Sequence, residues 1–123
     1  KKFTSKKKGS KKKILVFSPS HKRAFCYIDD AINQIIKLSL NKKIKNDIFN
    51  IGNMKEEITM LNLAKKIKKI LSFKTSIIKG EVTLGSPKRR IPDMKKTEKT
   101  IGYKKYIDLN DGLNRTIYWY LNS

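Results

Sequence analysis

The chain has 123 residues, 38% of them hydrophobic, and carries 30 Lys and Arg against 10 Asp and Glu, a formal net charge of +20. That much apolar material builds one modest core, which excludes a disordered polymer and sets the ceiling at one small domain. No apolar run approaches the roughly 20 residues of a membrane span, the basic N-terminus lacks an apolar signal core, and the single cysteine, Cys26, has no internal disulfide partner, so a cytoplasmic setting is expected.

Residues 1–13 hold eight lysines, two serines and a glycine and offer little to bury; a flexible basic arm is expected there, followed by one folded unit over 14–123. The other 110 residues contain 22 basic and 10 acidic side chains spread along the chain rather than in one block. Such a spread is what a lysine-biased composition leaves on a solvated surface, and a nucleic-acid-binding face is the competing reading.

Ile14 to Phe17 predicts a short buried strand stopped by the turn residues Ser18-Pro19-Ser20, and Ala24 to Ile28 predicts a second strand. Asp29-Asp30 then stands as a cap before Ala31, Ile32, Ile35, Ile36 and Leu38, whose spacing gives a helix with one apolar face. Asp47 to Ile51 reads as a strand closed by Gly52-Asn53, and Thr59 as the cap of a helix with Leu61, Ala64, Ile67, Ile70 and Leu71 inward and Lys65, Lys66, Lys68 and Lys69 outward. A strand at Thr75 to Ile78, a polar loop from Gly80 to Pro92, a short helix capped by Asp93 and ended by Gly102, and a last helix from about Leu109 complete an α/β pattern of short strands and about four helices.

Few side chains suggest chemistry of their own. His21 is the only histidine and has no partner carboxylate or nucleophile in view, so no catalytic role is expected for it. Cys26 alternates with Phe25 and Tyr27 as a half-buried strand residue would, no Cys and His spacing suggests zinc, and Tyr27, Tyr103 and Trp119 are expected to pack in the core.

Four segments, in order, carry a resemblance. Arg23-Ala24-Phe25-Cys26-Tyr27-Ile28-Asp29-Asp30 is similar to an R-x-F-x-Y-V-x-D segment, and Asn50-Ile51-Gly52-Asn53 with Glu57-Ile58-Thr59 to an N-x-G-N and E-x-T stretch. Pro87 to Asp93 resembles a P-x-x-R-x-P-D loop, and Ile101-Gly102-Tyr103 with Leu109 to Tyr118 the closing L-G-W and E-E-G-L-x-x-T-I-x-Y segments. Together they resemble the C-terminal, substrate-binding lobe of the NAD-dependent sugar-nucleotide epimerases, dehydratases and decarboxylases of the extended short-chain dehydrogenase/reductase family, in particular the UDP-glucuronate decarboxylase type. The resemblance implies that Arg23 and Arg90 reach the diphosphate of a UDP- or dTDP-sugar, for which planar guanidinium forks suit two oxygens at once, and that Asp93 accepts from ribose hydroxyls.

The chain departs from that family in what it lacks. The family's chemistry uses NAD held on a glycine-rich turn and a Tyr-x-x-x-Lys pair, and here no glycines fall in that spacing, while Tyr27, Tyr103 and Tyr106 are followed four residues on by Ala31, Ile107 and Asn110. No catalytic residue and no NAD site are therefore expected in this chain alone. The expectation is a truncated, split or frame-shifted enzyme whose Rossmann half lies elsewhere, with a small basic nucleic-acid-binding protein or a non-catalytic remnant as the alternatives. Ser18-Pro19-Ser20 also replaces a glycine-containing turn of the family, and Ser86 stands where an acidic residue often precedes the proline.

Overall fold

In the computed structural model, residues 13–103 and 105–123 are described. The expected basic arm lies outside them except for Lys13, which already belongs to the first strand. The elements run β1 (Lys13–Val16), β2 (Lys22–Ala24), α1 (Ile28–Ser39), β3 (Glu57–Thr59), α2 (Met60–Ile70), β4 (Ser76–Lys79), β5 (Arg89–Arg90), α3 (Lys95–Ile101) and α4 (Leu109–Asn122). None of the described helices is long and apolar enough to cross a membrane.

The strands form two small sheets. β1 pairs in parallel with β4, with Leu15 opposite Ile78 and Ile14 opposite Ile77. β2 lies between β3, antiparallel, and β5, parallel. α2 packs against β1 and β4 and buries Leu63, while Thr59 Oγ1 accepts from Asn62 N at 3.2 Å, the expected cap. Of the lysines expected to point outward from this helix, Lys65 and Lys69 are exposed, whereas Lys66 is half-buried and donates to Asn110 Oδ1 at 2.7 Å, joining α2 to α4. Gly102 ends α3 in the left-handed conformation, φ 64°, as expected of that glycine.

Several expectations are corrected. The second strand covers Lys22–Ala24 rather than Ala24 to Ile28, since residues 25–27 bend into α1. Residues 47–51 form no strand: their carbonyls are used by side chains, Ile48 O by Lys96 Nζ at 2.9 Å and Asn50 O by Thr97 Oγ1 at 2.7 Å, so no neighbouring strand completes them. β3 and β5 arise where a helix start and a loop are expected, because both dock on the edges of β2.

α1 is amphipathic with the opposite face inside. Its cap is Tyr27, without a side-chain hydrogen bond, and Asp29 and Asp30 sit in the first turn instead of capping it. Asp30 and Gln34 are the buried residues, while Ile28, Ile32, Ile35 and Ile36 are 45–60% exposed. Asp30 accepts from the Tyr103 hydroxyl and from Ile107 N at 2.8 Å, tying α1 to the segment before α4. Gln34 and Gly52 exchange two hydrogen bonds, each 2.9 Å, through the side-chain amide and the backbone. The interior is thus largely polar: among the described residues Val16, Leu63 and Met94 are the buried hydrophobic side chains, beside Ser18, His21, Asp30, Gln34, Asn53 and Thr97. Trp119, expected in the core, is 61% exposed and meets Tyr120 edge to face, because α4 presents its last turns to solvent; Tyr27 and Tyr103 are half-buried.

Candidate functional site

The three-stranded sheet brings two arginines side by side. In the parallel pairing of β2 with β5, Arg23 is the register partner of Arg90 and Lys22 that of Arg89. Like charges held as cross-strand neighbours repel unless something anionic lies between them. Arg23 and Arg90 line one cleft of about 410 Å³ together with Phe25, Cys26, Asn53 and Pro92.

The charge of these arginines is left available. Arg23 Nη1 donates to Lys22 O at 2.7 Å and Nη2 to Ser86 Oγ at 2.8 Å, both neutral acceptors. Among the described residues the Arg90 side chain, which is exposed, has no hydrogen bond or ion pair. Arg89, between them in sequence but turned away, reaches across the sheet to Glu57 with bonds of 2.8 and 3.2 Å. That bidentate pair, hydrogen bonding first and charge second, holds the Glu57 carboxyl below the usual carboxylate range and raises the Arg89 guanidinium. The clamp joins β5 to β3 across β2 and commits the Glu57 carboxylate to Arg89.

The cleft wall opposite the arginines is the Gly52–Asn53 turn. A Cβ at Gly52 would come within 2.9 Å of Pro92 Cγ, so only glycine lets the turn close against the 87–93 segment. Asn53 is buried; its Oδ1 accepts from Lys55 N at 2.8 Å, and its Nδ2 has no partner among the described residues. Cys26 sits half-buried in the same cleft, its thiol pushed up to about 11 first by burial and then by the charge of Asp30, so it stays protonated at neutral pH.

Asp93 is not brought into this cleft. It follows Pro92 at the exposed exit, where Oδ1 accepts from Lys95 N at 3.0 Å and its carbonyl accepts from Asn50 Nδ2 at 2.9 Å, while Met94 takes the cap position of α3. His21 is buried behind β2 with Nδ1 3.3 Å from Ser86 Oγ. Asn53, Glu57 and Ser86 stand in or beside the segments that carry the resemblance, but their places at the cleft and the Arg89–Glu57 pairing escape a reading of the sequence, because they depend on contacts between distant segments.

A dinucleotide does not fit the described residues. Its pyrophosphate requires glycines in a strand-to-helix turn opening onto the helix N-terminus. Here α1 and α2 open at Tyr27-Ile28 and Thr59-Met60, Gly52 packs on Pro92, and Gly112 lies inside α4 against Tyr27. No group of three metal-binding side chains occurs among the described residues.

No protein-family model matches the chain. It is 34% identical over 103 residues to UDP-glucuronic acid decarboxylase 1 of Danio rerio, an alignment covering 84% of this chain and 24% of the relative. In structure it resembles a UDP-glucose 4-epimerase of Thermotoga maritima, TM-score 0.80, at 22% identity over 89% of this chain and 35% of the other. It also resembles a UDP-glucuronic acid 4-epimerase of Bacillus cereus solved with UDP-glucuronic acid and NAD, TM-score 0.75, at 28% identity over 88% of this chain and 34% of the other. The chain spans about a quarter of the length of the curated relatives it matches. Over that span its homologues are UDP-glucuronic acid decarboxylases and its structural neighbours are epimerases and dehydratases of the extended short-chain dehydrogenase/reductase family, matched over their C-terminal part.

Proposed function

We propose that the chain is the substrate-gripping lobe of an NAD-dependent sugar-nucleotide enzyme and holds the diphosphate of a UDP- or dTDP-sugar between Arg23 and Arg90. The observation that carries this reading is the pairing of these two arginines, neither compensated by a carboxylate among the described residues, at one cleft. A diphosphate is the anion that such a pair accommodates, since each guanidinium presents two parallel donors to two oxygens.

The oxidation and reduction of the sugar fall to NAD and to residues of a Rossmann half, which would complete the enzyme. The uncovered isoleucines of α1 and the exposed Leu15 and Ile78 face of the β1–β4 sheet suit such a partner, because apolar surface of this kind marks an interface. Asp93 is assigned to the ribose: one oxygen is used by Lys95 N, and the second is free to accept from a hydroxyl at the cleft exit.

The test is calorimetric binding of UDP to the chain and to its Arg23→Ala and Arg90→Ala variants. Each loss should weaken binding by about 2 kcal/mol, roughly 30-fold, the scale of a hydrogen bond to a charged group. Unchanged affinity in both variants would remove the assignment.

A further inference from the structure

The 80–88 segment is tied to the turn before β2 by a run of hydrogen bonds. Ser18 N donates to Glu81 O at 2.9 Å, Thr83 N to Ser18 Oγ at 2.9 Å, Ser86 N to Thr83 O at 3.1 Å and Lys22 N to Lys88 O at 2.8 Å. Ser18 is buried and holds φ at 46°, a left-handed conformation that a non-glycine residue adopts only where its surroundings fix it. The result of this lacing is local: Ser86 Oγ is set 2.8 Å from Arg23 Nη2 and 3.3 Å from Nδ1 of His21, a buried ring that the proposed grip does not use.

Donor counting fixes one direction in this triplet: a guanidinium only donates, so Ser86 Oγ accepts from Arg23. The Ser86 hydroxyl retains a proton and a second lone pair, so its contact with His21 Nδ1 runs in the direction that the ring tautomer sets. Lys22 O holds the other terminal nitrogen of Arg23 at 2.7 Å. Two anchors on two terminal nitrogens fix the plane of the guanidinium, and a planar fork grips two oxygens only when its plane is right. Both anchors are neutral, so the orientation is set without cancelling the charge.

We propose that Ser86 is a positioning residue that orients Arg23 in the cleft, with His21 orienting the Ser86 hydroxyl. The inference rests on the diphosphate reading for what the oriented guanidinium meets, but the orientation itself is measurable without ligand. The experiment combines the Arg23 Nε–Hε resonance of the isotopically labelled chain with UDP affinity, for the wild type, Ser86→Ala, Ser86→Thr, Arg23→Ala and the Arg23→Ala/Ser86→Ala double variant.

Ser86→Ala should accelerate motion of the Arg23 side chain and weaken UDP binding about fivefold to tenfold, the loss expected for one hydrogen bond. Ser86→Thr, which keeps the hydroxyl, should restore both. In the Arg23→Ala background, removing Ser86 should cost nothing further. An unchanged Arg23 resonance in Ser86→Ala, or a loss of affinity that persists in full without Arg23, overturns the proposal. If Ser86→Ala does not fold, Ser86→Cys carries the same expectation, since it keeps the size and replaces the oxygen by a weak acceptor. If the Arg23 signal responds while UDP binding is indifferent to Arg23, the diphosphate reading falls and the positioning stands.

Discussion

Buried polar side chains do much of the work that apolar ones do in a larger core. Gln34 is wholly buried and closes a reciprocal pair with Gly52, so Gln34→Ala or Gln34→Leu strands two backbone groups at once. Either change should lower stability by about 2 to 4 kcal/mol in a urea melt, against at most about 0.5 kcal/mol for an exposed residue of the same helix such as Ser39→Ala. Tyr103 is the clearest titrating group: burial, then its hydrogen bond to Asp30, then the Asp30 charge push its phenol from 10.0 up to about 12. As pH rises past 10 the unfolded phenol releases its proton while the folded one keeps it, so stability present below pH 10 is lost between about 10 and 12. Thermal melts across that range should show the decline, and Tyr103→Phe should make it shallower. Arg23 and Arg90 are legible as candidates because the motifs around them are; their adjacency is not, since it comes from the two-residue strand β5 docking on β2.

At the level of elements, the four helices are legible because apolar spacing, Thr59 and Gly102 mark them, and Asp108 proves to cap α4 by accepting from Asn110 N and Asp111 N. The strands β3 and β5 are not, because runs of three and two residues exist only through pairing with β2 and carry no alternation of their own. Conversely, residues 47–51 have strand-forming composition and no strand to join, so their carbonyls take side-chain donors from α3. The stripe on α1 is legible as amphipathic, but periodicity alone does not say which face is covered. Here the polar face with Asp30 and Gln34 turns inward and the isoleucines turn out. Ile32→Ser and Ile36→Ser together should therefore change stability of this chain by no more than about 1 kcal/mol and reduce its binding of a hydrophobic dye, whereas a core stripe would lose several kcal/mol.

For the whole molecule, the described residues bury three hydrophobic side chains and leave two apolar faces uncovered, a thin core for a chain of this length, and the proposed Rossmann half would cover those faces. The formal charge of +20 attracts anions of many kinds, so binding of an anion alone says little; the proposed diphosphate grip depends on Arg23 and Arg90 lying side by side. Calorimetry of the chain with UDP and with uridine, repeated at two salt concentrations, separates the two effects. A built site should give saturable one-to-one binding of UDP that survives at about 0.15 M salt, where distant surface charges are largely screened, and no measurable binding of uridine. Equal affinity for UDP and uridine, or UDP binding that disappears with salt, would contradict a built diphosphate site at Arg23 and Arg90.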